Sequence, residues 1–247
     1  MRPLKVLGIC ASPRKGNSEF LLDKALEAAA KAGPSVEITS YTLRGKIMGP
    51  CVACGSCYTL GGECSVVDDF QELNALWHDS DVIIYSAAVY HMSMPGQLKC
   101  FIDRLGNAGF GKFAKYYETG HEKLPKVMKV IGSIAQGAHI VSGQEHTITD
   151  LINHALIMQS IPVTGDMWES YMGGGGWTRN DISRDAFERQ EKEGELDALV
   201  AIRSSEAVGK RAVELAMIIR AGAQAVRPSL EGDPAYAPFF ELADSGK

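Results

Sequence analysis

The sequence predicts an α/β fold, a parallel sheet wound with helices on both faces. Three observations carry the prediction. Apolar segments of strand length alternate with segments of helical period along most of the chain. The first of them, residues 6–11, has no period of two, as a strand covered on both faces requires. The first, third and fourth strand segments each run into a polar loop, which sets three loops at the carboxyl edge of the sheet, where ligands of such folds bind.

In chain order, the first strand leads into Ser12-Pro13-Arg14-Lys15-Gly16-Asn17-Ser18. Pro13 and Gly16 break the strand, and Asn17 or Ser18 can cap a helix carrying Phe20, Leu21, Ala25 and Ala28 on one face. Such a loop aims backbone N–H groups, hydroxyls and a positive helix end at one spot, which suits a phosphate. Ser12, Asn17 and Ser18 offer polar donors, and Arg14 and Lys15 offer charge. It is neither a G-x-G-x-x-G turn nor a Walker A loop, and its single glycine suits a terminal phosphate monoester. An ordinary strand-to-helix turn would use the same residue types.

Residues 36–43 alternate and are β-branched, which predicts the second strand. Residues 44–65 form a loop. Asp68-Asp69 then starts a helix over 70–79, where negative charge meets the helix dipole. The third strand, 81–87, ends in Ala88-Val89-Tyr90-His91-Met92-Ser93-Met94-Pro95, and Pro95 opens a helix with Leu98, Phe101, Ile102 and Leu105. Residues 106–125 read as an excursion. The fourth strand is 126–134, with a polar loop at 135–145 and then a helix carrying Ile148, Leu151, Ile152 and Ala155. The fifth strand is 161–164. The glycine run 173–176 reads as too flexible for any element. Residues 178–197 are charged and helical in part, and 205–225 form the last helix. Three prolines among Tyr236, Phe239 and Phe240 predict an extended tail whose aromatic side chains cover another subunit. The expected organisation is a domain over 1–170, a Gly-rich segment and helix of the same domain over 171–225, and the tail 226–247.

The chain has 247 residues, 45% of them hydrophobic, and a formal net charge of −5. It lacks a basic tract, which argues against nucleic acid as the main partner. It lacks an apolar run long enough to span a membrane and a signal-like N-terminus, so a cytoplasmic protein is expected. Of six cysteines, Cys51, Cys54, Cys57 and Cys64 fall in one loop. In a reducing compartment such clustering points to a metal, a cluster or redox chemistry before disulfides. Cys10 and Cys100 read as core packing. His121, His139, His146 and His154 are scattered. No Ser-His-Asp order or carboxylate pair stands out, so no catalytic side chain is assigned.

The stretch Gly8 to Ser18, the cysteine run, Ala88-Val89-Tyr90 with Leu98-Lys99-Cys100-Phe101-Ile102-Asp103-Arg104, and Gly143-Gln144-Glu145 together resemble the flavodoxin-like NAD(P)H-dependent FMN reductases, and within them the iron–sulfur flavoproteins. The resemblance covers about residues 4–165. It implies a flavodoxin-like, doubly wound, five-stranded parallel sheet of order 2-1-3-4-5, here with a C-terminal extension longer than a typical member's. It implies FMN with its phosphate held by Ser12, Arg14, Asn17 and Ser18. It places Ala88, Val89, Tyr90 and Ser93 beside the isoalloxazine ring, and Ser133, Gln136 and Gly137 in the loop that closes over it. Tyr90 and His91 lie where the ring would stack; equally, they suit a loop packing under its own helix. Ala88 departs from the family, which carries proline before Val-Tyr. A homo-oligomer, dimer or tetramer, is also implied.

Cys51-x2-Cys54-x2-Cys57-x6-Cys64 resembles the compact ligand run of iron–sulfur proteins, and four thiolates satisfy a [4Fe–4S] centre. Zinc also takes four thiolates, but in two separated knuckles. Flavin reductases of this type also carry such thiols free in a substrate-facing loop. The expected function is an FMN-dependent oxidoreductase that passes electrons between flavin and a one-electron carrier such as ferredoxin. A cluster-free NAD(P)H-dependent FMN or quinone reductase, with NAD(P)H as co-substrate and a small-molecule acceptor, is the alternative within enzymes. A flavodoxin-type carrier without turnover is the alternative outside them.

Overall fold

The computed structural model describes residues 2–114 and 124–245. Among these, the strands are β1 (Leu4–Ala11), β2 (Val36–Thr42), β3 (Val82–Ala88), β4 (Val130–Gly137), β5 (Ile161–Pro162) and β6 (Gly174–Trp177). The helices are α1 (Asn17–Lys31), α2 (Ser56–Thr59), α3 (Phe70–Asp79), α4 (Gly96–Lys112), α5 (Gln144–Ile157), α6 (Ala186–Glu193), α7 (Leu196–Leu230) and α8 (Ala237–Asp244). All pairings are parallel, in the order β2-β1-β3-β4-β5, with β6 also on β4. The expected doubly wound sheet is therefore present, with its fifth position shared. β5 pairs with Val130 and Ile131, and β6 with Ile134 to Gly137.

The helices lie in two layers. Side chains of α1 and α7 form one core with Val6, Cys10, Val82, Ile84, Val130 and Ile134. Side chains of α3, α4 and α5 form the other with Leu7, Ile9, Ile83, Tyr85 and Ile131. Residues of β1 and β3 serve both cores, which is why their apolar runs are continuous. Within the second core Trp77 Nε1 donates to Tyr85 Oη (3.0 Å), which also meets His154 Nε2 (3.1 Å). Burial pushes the His154 imidazole down to about 4, so it sits there neutral. His139 and His146 are exposed, and His121 lies outside the described residues.

Several expectations are corrected. The glycine run is not a loop: Gly174, Gly175 and Gly176 belong to β6. A Cβ on Gly175 would fall 2.0 Å from the Ala135 carbonyl oxygen, and one on Gly174 2.9 Å from Ser205 Cα. The glycines are there because the strand is wedged between β4 and α7. The fourth strand begins at Val130 and runs to Gly137, so Ser133, Gln136 and Gly137 are strand residues rather than loop residues, and Ala88 likewise ends β3. The supposed excursion at 106–125 is helical through Lys112, and residues 115–123 lie outside the described residues. The last long helix is not 205–225 but Leu196–Leu230.

The tail is not extended either. Pro238 lies in the first turn of α8, and Pro234 in a 3₁₀ turn over Pro234–Tyr236. A missing N–H costs nothing at those positions, because first-turn N–H groups have no partner in the helix. The tail packs on its own chain: Phe240 is buried, Arg2 Nε donates to Leu242 O (3.2 Å), and Arg227 pairs with Asp244 (2.8 Å). Among the described residues no helix is long and apolar enough to cross a membrane.

Candidate functional site

The ends of β1, β3 and β4 lie side by side, with Ala11 opposite Ala87 and Ala88 opposite Gln136. The three loops that follow them therefore meet. In the first, Ser12 Oγ donates to Arg14 O (2.8 Å) and folds the loop back on itself. Ser18 is buried at the start of α1. Its Oγ accepts from Gln136 Nε2 (3.1 Å), and its carbonyl accepts from Ser86 Oγ (2.7 Å). These bonds tie the first loop to β3 and β4. Pro13, Arg14 and Lys15 stand exposed beside the first turn of α1, whose backbone N–H groups lack helical acceptors.

Asn17 takes a different place from the one expected of a phosphate ligand. It is buried, its Nδ2 donates to Ser183 O (2.8 Å), and its Oδ1 accepts from Phe187 N (3.1 Å). Both ends of the amide are thus spent holding the segment 182–187 across the loop. One guanidinium N–H of Arg14 adds to this hold, donating to Ile182 O (3.1 Å).

The second loop turns sharply. Tyr90 and Ser93 exchange backbone hydrogen bonds (2.8 and 3.0 Å), with His91 and Met92 at φ of 44° and 67°. Two non-glycine residues in the left-handed region cost energy and persist where their surroundings hold them. Ser93 Oγ donates to Asp150 Oδ2 (2.5 Å) on α5, and Val89 N donates to Gln136 O (2.8 Å). Gly143 presses on the turn so closely that a Cβ would lie 2.4 Å from Met92 Cα. Tyr90, Met92, Ile140 and Val141 are exposed on these loops and present apolar surface at the carboxyl edge.

The second feature is the cysteine loop. A cavity of about 170 Å³ is lined by Cys51, Cys54, Cys57 and Cys64 together with Arg104, Asn107 and Ala108 of α4. All four thiols are free. Among the described residues no group of three or more His, Cys, Asp or Glu side chains converges so as to hold a metal ion. The loop turns at Ala53, Gly55, Gly61 and Gly62, all with positive φ. Cys54 Sγ lies 3.4 Å from Ser65 Oγ, and hydrogen bonds from Ser56 and then Ser65 pull its thiol down to about 7. Burial, and then the neighbouring thiols, push Cys57 up.

Both ends of the loop are clasped by a buried ion pair whose partners, Arg104 and Asp68, the sequence does not connect. Arg104 Nη1 is 2.7 Å from both carboxylate oxygens of Asp68 and donates to Gly49 O (3.3 Å). Arg104 Nη2 donates to Val66 O (2.6 Å) and reaches Cys64 Sγ at 3.4 Å. Asp68 accepts from Gly49 N (2.9 Å) and Phe70 N (2.9 Å). Burial alone would raise the Asp68 carboxyl, but Arg104 and these backbone donors hold it below the usual carboxylate range. The signal was present: Arg104 falls on the apolar face with Phe101, Leu105 and Ala108, at a spacing that forces a charge into the core. Asp68, expected only to start α3, does that through Phe70 N and this pairing as well.

A family model described as NADPH-dependent FMN reductase matches residues 4–169. An iron–sulfur flavoprotein of Methanocaldococcus jannaschii is 33% identical over 174 residues, which is 70% of this chain and 82% of that protein. One from Archaeoglobus fulgidus is 30% identical over 177 residues, 72% of this chain and 84% of that protein. Among solved structures, RosB with bound 8-demethyl-8-formylriboflavin-5′-phosphate superposes with a TM-score of 0.58 at 14% identity, covering 92% of this chain and 87% of that one. That likeness shows the shared fold.

Proposed function

Because the chain belongs to the NADPH-dependent FMN reductase family, and within it to the iron–sulfur flavoproteins, we propose that this flavin-dependent oxidoreductase also holds a [4Fe–4S] cluster and exchanges single electrons with a carrier of the ferredoxin kind. One observation carries the reading: a single cavity is lined by all four cysteines of the run, with buried N–H donors in its wall. When bound, FMN supplies hydride chemistry and the cluster supplies one-electron transfer.

The chain's own residues supply donors for both groups, the four thiols lining one cavity without converging on a single point. Lys15, the guanidinium N–H groups of Arg14 that Ile182 O does not take, and the first N–H groups of α1 can hold a phosphate, and the apolar edge of Tyr90, Met92, Ile140 and Val141 suits a flat ring. Ser12 and Ser18 shape the phosphate loop, and Gln136 braces it through Ser18. Ala88, Val89, Ser133 and Gly137 supply the backbone on which the ring-side loops stand. Cys51, Cys54, Cys57 and Cys64 would be the cluster ligands. α4 starts at the second loop and rises about 12 Å from Gly96 to Arg104, linking the two places by one rigid element. NAD(P)H as hydride donor and assembly into a homo-oligomer belong to the same proposal.

Replacing Cys54 by Ala tests it. The variant should lose iron and sulfide yet keep FMN, accept hydride into the flavin, and fail to exchange electrons with ferredoxin. Wild-type protein that takes up no iron after anaerobic reconstitution would leave a plain flavin reductase with a thiol-rich loop.

A further inference from the structure

We propose that Arg104 is a positioning residue for the cluster that also sets its reduction potential, through its charge and through N–H···S hydrogen bonds from the buried side of the cavity. The inference rests on the cluster reading above and goes beyond it.

Arg104 is only 2% exposed and stacks on Phe70, 4.2 Å from guanidinium carbon to ring centroid. A cation in such a place is costly to bury, and a buried ion pair is seldom better for stability than apolar residues of the same volume. Stability alone is therefore a weak reason for it to be there. Its donors point to another reason. Nη1 is spent on Asp68 and Gly49 O, while Nη2 serves Val66 O and lies 3.4 Å from Cys64 Sγ. Nε is buried with no hydrogen-bond partner in the structure. A buried donor without an acceptor is an expensive thing to keep, and this one belongs to a side chain that lines the cysteine cavity. Sulfur acceptors in that cavity would satisfy it.

The ion pair is also oriented. Asp68 meets the guanidinium at Nη1, whereas the thiol of Cys64 meets it at Nη2, so Cys64 faces the positive end of the pair. Four thiolates leave a cluster with net negative charge, and reduction adds one more electron with no bond made or broken. Net charge and hydrogen bonds to the sulfurs are among the factors that set the potentials of such clusters. A fixed cation and its N–H groups stabilise the more negative, reduced state and raise the potential. Asp68, one step farther out, partly offsets that effect.

The test uses full-length, cluster-loaded protein, poised with dithionite and mediators and followed by the EPR signal of the reduced cluster. Arg104→Gln should make reduction about tenfold less favourable, a shift of about 59 mV for one electron. Asp68→Asn, which leaves the arginine's charge unopposed, should shift the potential in the opposite direction by a similar factor. Arg104→Lys, which keeps the charge and loses the fork, should recover part of the loss. Shifts of the same sign in Arg104→Gln and Asp68→Asn, or less than twofold in Arg104→Gln, would overturn the assignment. If Arg104→Gln sheds its iron, Asp68→Asn alone decides, an upward shift supporting the assignment and any other overturning it. Loss of iron from both variants would make the pair a structural clasp and overturn the electrostatic role. Wild-type protein without iron would overturn the cluster reading itself, an outcome distinct from a loaded protein with unshifted variants.

Discussion

Two glycines of α4 make a matched pair for testing how the cysteine loop is seated. A Cβ on Gly111 would lie 2.4 Å from the Cys57 carbonyl oxygen and 2.6 Å from its carbonyl carbon, whereas one on Gly106 would meet nothing within 4 Å. Ordinary contact begins near 3.4 Å, so in Gly111→Ala the α2 backbone must retreat by about 1 Å. The atoms in the way are backbone and cannot rotate aside. The Cys57 carbonyl also accepts from Gly62 N (2.7 Å), so moving it loosens the turn that leads to Cys64. Overpacking of this kind costs about 1–3 kcal/mol. The opposing gain is helix propensity, at most about 1 kcal/mol and less near a helix end. Gly111→Ala should therefore destabilise, and Gly106→Ala, the same change five residues earlier with open space around it, should stabilise by about 0.5–1 kcal/mol. For a chain of this size each kcal/mol moves Tm by about 2–4 °C, which differential scanning calorimetry resolves. Iron per chain after reconstitution gives a second reading: Gly111→Ala should bind less and Gly106→Ala as much as wild type. Equal Tm shifts of the same sign in both variants would refute the packing of α2 on α4.

Arg14→Ala should weaken FMN binding about tenfold to a hundredfold and riboflavin binding little, since a charge-assisted phosphate contact contributes about 1.5–3 kcal/mol; equal losses in a fluorescence titration would remove Arg14 from the phosphate site. Asn17→Ala should instead lower the unfolding midpoint by freeing Ser183 O and Phe187 N, and a loss of FMN affinity without loss of stability would make Asn17 a ligand after all. Lys129 is buried, donates to His78 O (2.9 Å) and to Ser80 O, and burial pushes its ammonium down to about 7. Below about 7 it is charged in both states and the burial penalty is complete; as pH rises toward 10.5 the unfolded chain holds the extra proton, so stability rises with pH. Denaturation of wild type and Lys129→Met across that range should show the gap closing in favour of wild type, and parallel curves would contradict the shift. Truncation after Ala225 strips away Phe240 and the Arg227–Asp244 pair and should lower Tm; an unchanged Tm with a smaller assembly in sedimentation would return the tail to a subunit interface.

Much of the fold was legible because its signals are local. A strand covered on both faces needs a continuous apolar run, and Val6 to Ala11 is one; a polar loop ending in Gly16-Asn17-Ser18 can open a helix wherever it lies. The cysteine spacing likewise announces that four thiols share one loop, and the meeting of three loops at the carboxyl edge follows from strand order alone. Tertiary structure decided what depends on neighbours distant in sequence. Whether Gly174 and Gly175 make a loop or a strand turns on how near Ala135 and Ser205 come. Whether Asn17 binds a phosphate or holds a strap turns on Ser183 and Phe187, more than 160 residues away. Arg104 was visible as a charge on an apolar helix face, but its partner, Asp68, lies 36 residues earlier. The reason is physical: dihedral preference and hydrophobic period act over a few residues, whereas the space for a Cβ and the acceptor for a buried donor are set by whatever the fold brings alongside.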